Sequence, residues 1–212
     1  MPDQTKELVS GTLTSRYRTG DSSEALTSSP EILSLAKQLL SEAEFDRAMK
    51  LSVMLVSSRS VKNAAVEELV TMVAPPPKRP LYYAQHELEL LPRWTRDAIR
   101  YLGDYVDVVC KHLLYELSKA RGRGNTPLGV TISTLEARKV LPDNVLTRLR
   151  TYNEFLYRPG KHDFHLPAGR KMHRFTSQEV VLTAFVTLRL VEILKQYSKC
   201  APDMNCHFDN LI

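Results

Sequence analysis

The 212-residue chain reads as an all-α protein, a helical bundle with a flexible N-terminal arm and a short C-terminal tail. Apolar residues recur at spacings of three and four over long stretches, as a helix with one buried face requires. Serine or threonine followed three residues later by glutamate marks several helix starts. No strand-like alternation or hairpin turn of comparable length competes, and Val130 to Ile132 is the one short candidate for extended chain.

Residues 1–29 hold 11 serines and threonines among scattered apolar side chains, too little buried surface to offset the entropy of ordering, and form the expected arm. Order begins at Ser29-Pro30-Glu31, where serine caps a helix and proline suits its first turn. Ile32, Leu35, Ala36, Leu39 and Leu40 then share a face. Ser41 and Glu44 form a capping box, stapled by Leu40 and Phe45, for a second helix or kinked continuation to about residue 57. A third helical stretch, Val61 to Val73, groups Ala65, Leu69 and Met72. It stops at Pro75-Pro76-Pro77, which lack amide donors. Residues 30–74 thus make an N-terminal helical segment, and 75–80 a proline-rich hinge.

Residues 81–198 carry the main bundle. Ile99, Leu102, Val106, Val109, Leu113 and Leu117 predict a long amphipathic helix whose solvent side holds Arg100, Asp104, Asp107 and Lys111. Arg121-Gly122-Arg123-Gly124 ends it. Ser133 and Glu136 read as a capping box opening a short helix. Pro142 starts the next, with Val145, Leu146, Leu149, Tyr152 and Leu156 on its apolar face and Pro159-Gly160 as its end. Thr176 with Glu179, stapled by Phe175 and Val180, then opens a helix that is apolar on most sides and belongs at the centre. Residues 199–212 read as a loosely packed tail.

Lysine and arginine exceed aspartate and glutamate by 29 to 24, a balance that admits a polyanionic partner. The excess is C-terminal: residues 1–74 hold 8 basic and 10 acidic side chains, residues 75–212 hold 21 and 14. Three unevenly spaced cysteines fit a reducing compartment, no signal peptide or long apolar run is visible, and a cytoplasmic protein without membrane contact is expected.

The charge gathers in residues 158–174, RPGKHDFHLPAGRKMHR. Five cations, Arg158, Lys161, Arg170, Lys171 and Arg174, face one acid, Asp163, alongside His162, His165 and His173. Surface connections are commonly charged, so an ordinary solvated loop explains part of this. Function is the competing explanation, because arginine offers planar donors to phosphate while histidine exchanges protons near neutral pH. His162 is then the candidate acid or base and Arg158 the phosphate clamp. Lys161, Arg170, Lys171, His173 and Arg174 bind nucleic acid, and Asp163, His165 and Arg150 support them.

A long helix, a second helix ending in Arg-Thr-Tyr-Asn-Glu-Phe-Leu-Tyr, the Lys161-His162-Asp163 turn and a strongly capped last helix resemble, over residues 96–198, the HEPN superfamily. The resemblance implies a small helical bundle and, in many members, an RNase of toxin–antitoxin or phage-defence systems working as a homodimer. Its motif is an arginine, four to six intervening residues and a histidine, with paired motifs building one metal-independent site and no cofactor. His162 matches the histidine. Arg158 is the nearest arginine, separated by three residues and followed by Pro159 instead of a polar residue, while Arg150 lies farther upstream. The alternative is a non-catalytic interaction protein whose N-terminal helices dock a partner and whose basic loop binds polyanions.

Other constellations point to structure. Cys200, Cys206 and His207 lack the paired spacing of a zinc site. Cys110 and His112 sit on the long helix as core and helix residues, and His86 has no companion motif. No nucleotide-binding glycine loop is present. Helices around Val140 to Asn144 could mimic a helix-turn-helix presenting Arg148 and Arg150, and Trp94, Tyr82, Tyr83, Tyr101 and Tyr105 could stack on bases, but core packing explains both.

Overall fold

The computed structural model describes residues 28–73, 95–118, 126–161 and 175–198, all helical or in short turns between helices. The chain is an all-α bundle. The arm, the proline hinge with His86 and Trp94, the Arg121–Gly124 stop, residues 162–174 and the cysteine-containing tail lie outside the described residues.

Helix α1 (Pro30–Leu39) starts as its sequence requires: Ser29 accepts the Ile32 amide, and Ile32, Leu35, Ala36 and Leu39 are buried. Helix α2 (Glu42–Leu55) opens with the full reciprocal box, the Ser41 hydroxyl accepting from the Glu44 amide and the Glu44 carboxylate from the Ser41 amide. Helix α3 (Arg59–Val73) buries Ala65, Leu69 and Val73. All three lay their apolar faces on α8 (Ser177–Lys195), the C-terminal helix, which also packs along the 24-residue α4 (Thr95–Ser118). Because α8 has neighbours on almost every side, it is buried through most of its length, Thr183 and Thr187 included. The Tyr152 hydroxyl and Thr187 Oγ1, 2.7 Å apart, satisfy each other within that core.

One start differs from expectation. Helix α5 (Leu128–Ala137) begins right after Pro127, five residues ahead of Ser133, and no side chain caps it. Ser133 instead lies inside the helix and donates to the Gly129 carbonyl at 3.0 Å, so its spacing to Glu136 mimics a box without making one. Val130 to Ile132, the candidate extended segment, is helical for the same reason. The helix closes with Lys139 at φ 52°, its amide bonded to Glu136 and that of Val140 to Leu135, a left-handed stop that reverses the chain.

Helix α6 (Asp143–Tyr152) follows Pro142 and buries Val145, Leu146, Leu149 and Tyr152 as expected. It does not end at Pro159-Gly160. A wide π turn, Asn153–Tyr157, carries the axis on into α7 (Arg158–Lys161). In a regular helix the Pro159 ring would clash with the carbonyl four residues back, at Phe155; the wider turn there removes that conflict.

Candidate functional site

The continuous α6–π–α7 rod sets the geometry around Arg158, because its last two turns cross the N-terminal half of α4. The contact is close at two glycines. A Cβ on Gly103 would lie 2.1 Å from the Tyr157 ring, so the ring is seated directly on the α4 backbone. Opposite, Gly160 rests on Ile99 and Arg100, and the Arg96 Nε donates to its carbonyl at 3.0 Å.

This crossing covers the side of α4 that periodicity assigns to solvent. Asp107 is only 5% exposed, and Lys111, 2.9 Å from its Oδ2, is largely buried as well. Helical spacing places these residues on the polar stripe correctly; what it cannot see is a second rod lying over that stripe. Burial pushes the Asp107 carboxyl above its usual value, against the opposing pull of Lys111, and its Oδ1 has no hydrogen-bond partner among the described residues.

One turn earlier, Asp104 gathers the end of the rod. The Tyr157 hydroxyl donates to Asp104 Oδ1 at 2.6 Å, and Lys161 Nζ donates to the same oxygen at 3.2 Å and to the Tyr157 hydroxyl. The Lys161 ammonium also lies 4.8 Å from the Tyr157 ring centroid. Burial and the Asp104 carboxylate raise the phenol well above its ordinary range, which keeps it protonated and donating.

Of the residues proposed from sequence, the described ones are Arg150, Arg158 and Lys161. They do not converge on one partner. Arg150 pairs with Glu136 on α5, whereas Lys161 turns to α4. Arg158 is exposed and makes no ion pair among the described residues. His162, Asp163, His165, Arg170, Lys171, His173 and Arg174 lie outside those residues. Sequence reasoning gave no site role to Arg96, Asp104 and Tyr157; the signal was Gly103, on which the Tyr157 ring sits, and Gly160, which lies against the Arg100 backbone.

The bland assignments resolve simply. Cys110 is buried and its thiol is pushed far up by burial. His112 is buried 3.2 Å from the Glu116 carboxylate, whose other oxygen accepts from Ser198 just past α8. Tyr105 packs against the core and Tyr101 lies beneath Arg100. No group of histidine, cysteine, aspartate or glutamate among the described residues could hold a metal ion, and none of the described helices is long and apolar enough to cross a membrane. The apolar faces of α1–α3 are taken by α8, so a partner of those helices would meet their polar sides or the exposed Val56 and Val61. No protein-family model, curated protein or solved structure matches the chain.

Proposed function

We propose that this protein engages RNA through residues 158–174 and cleaves it without metal, in the manner of the HEPN-like toxins or phage-defence RNases its sequence resembles. The observation that carries the reading is Arg158: an exposed guanidinium, free of ion pairing among the described residues, on the last helical turn before a segment with three more cations and three histidines. A guanidinium so placed is available to phosphate oxygens. His162 then acts as acid or base: the 2′-oxygen loses its proton and attacks phosphorus, the bond to the 5′-oxygen breaks, and the cations stabilise charge on the phosphoryl oxygens. Pairing of two such loops in a homodimer completes a composite site, which light scattering tests through the oligomeric state.

The decisive experiment is RNA cleavage in EDTA by the wild type, His162→Ala and Arg158→Ala. General acid–base help is worth about 10²- to 10⁴-fold, so His162→Ala nearly abolishes turnover while leaving the fold intact. A second reading, polyanion binding without catalysis, draws on Lys161, whose ammonium is already engaged by Asp104 and Tyr157. Salt-sensitive RNA binding with no cleavage selects it.

A further inference from the structure

We propose that Phe155, exposed beside Arg158 on the outer side of the rod, is a stacking platform for an unpaired base of the RNA whose phosphate Arg158 holds. The inference rests on the RNA reading above and narrows its substrate to single strands.

The rod sorts its residues by side. Tyr152, Leu156, Tyr157 and Gly160 are buried, whereas Glu154, Phe155 and Arg158 are exposed. Within the π turn both Leu156 and Tyr157 face inward, the latter onto Gly103, and Phe155 is left outside. Core packing therefore does not account for a phenylalanine at this position. At 37% exposed it is one of five large apolar side chains that the described residues leave open to solvent, and of those five only Tyr115 also carries a ring. A scattered exposed valine needs no explanation. A phenyl ring next to an exposed guanidinium, on the rod that leads into the cationic segment, is a different case.

Phe155 and Arg158 stand three residues apart on one helical rod, a spacing that sets Cβ atoms about 5–6 Å apart. One nucleotide spans such a gap between its base and its own phosphate. The guanidinium takes the phosphate oxygens and the ring takes the face of the base, a contact open to every base because each has a π-face. Glu154 sets the direction. It is the one acid in positions 154–161, and it repels phosphate from the upstream side, so the backbone is led past Arg158 towards the cationic segment. A base inside a duplex keeps both faces against its neighbours and cannot reach the ring, whereas single-stranded bases splay out onto aromatic side chains.

The test uses the full chain and a 2′-O-methyl oligonucleotide, which lacks the attacking hydroxyl and so reports binding alone, beside a fully abasic strand with the same number of phosphates. Fluorescence anisotropy across a salt series follows both. Phe155→Ala and Phe155→Leu are expected to cut the preference for the base-bearing strand by about fivefold to a hundredfold, the scale of one stacked base. The slope of log K against log salt stays as in the wild type, and Phe155→Trp keeps the preference. Arg158→Gln weakens binding of both strands and flattens the slope by about 0.7, the loss of one phosphate contact on a single strand. Val56→Ala, which trims an exposed apolar side chain at the end of α2, changes neither quantity. Circular dichroism checks that each variant is folded, with the leucine variant, closer in bulk, deciding the matter if the alanine variant is not. Should the preference survive in Phe155→Leu while Arg158→Gln weakens binding, the platform is refuted and the RNA reading stands. A wild type that binds both strands equally also refutes it, as does an equal loss on both strands in the Phe155 variants. If the wild type binds neither strand at any salt, the RNA reading itself falls and takes the platform with it.

Discussion

Glu179 and Asp107 are both buried carboxylates, yet the fold treats them in opposite ways. Glu179, at the start of α8, accepts the Thr176 amide at 2.9 Å on one oxygen and the Ser29 amide at 3.1 Å on the other. Backbone donors fill both oxygens, and the first turn of α8 is thereby tied to the entrance of α1. Asp107 has Lys111 on one oxygen and no hydrogen-bond partner among the described residues on the other. A carboxylate wrapped in amides locks two helix starts together; one left half-satisfied beneath a crossing rod keeps part of its desolvation cost.

The largest expected effect comes from breaking the first arrangement. Glu179→Ala strands two amides and is expected to cost about 3 kcal/mol, with Glu179→Gln losing less, as denaturant unfolding would show. A loss under about 0.5 kcal/mol would mean that water replaces the carboxylate at no cost. Next is the crossing itself. Gly103→Ala gains about 1 kcal/mol in helix propensity but drives a methyl into the buried Tyr157 ring, for a net loss of about 2 kcal/mol. The double variant Gly103→Ala/Tyr157→Ala should lose less than the sum of its parts, because the overlap disappears with the ring.

The third prediction concerns pH. Because the folded-state value of Asp107 is raised, the native state holds a proton that the unfolded chain has released between about pH 4 and that higher value. Stability contributed by this group therefore falls as pH rises through the window. Asp107→Asn should flatten that segment of the stability profile, and an unaltered slope would show the carboxylate ionising as freely folded as unfolded. The smallest effect sets the background, far from both acids: Lys139→Gly relieves the left-handed backbone at φ 52° and should stabilise by about 0.5 to 1 kcal/mol, seen as a small rise in Tm.

The same contrast explains what the sequence discloses. The Glu179 end is spelled out locally, since Thr176, Glu179 and the Phe175 to Val180 staple fall within one turn, and Ser29 and Ser41 likewise stand three residues before the amides they cap. The start of α5 carries no such mark because Pro127 offers no capping side chain, and Ser133 sends its hydroxyl back to Gly129 instead. The Asp107 end is invisible to periodicity. Its burial depends on packing across α4 by elements distant in sequence, a tertiary event that no window of neighbouring residues encodes. Among the candidate site residues, exposure of Arg158 follows from local pattern, while the engagement of Lys161 by Asp104 spans 57 residues and could only be learned from the fold.

The bond between Ser29 and Glu179 joins positions 150 residues apart. On a ribosome, then, the greasy sides of the first three helices emerge long before the segment that covers them has been translated. The nascent chain must keep Ile32, Leu35, Leu51 and Leu55 from straying until α8 arrives, which makes that helix the keystone of folding.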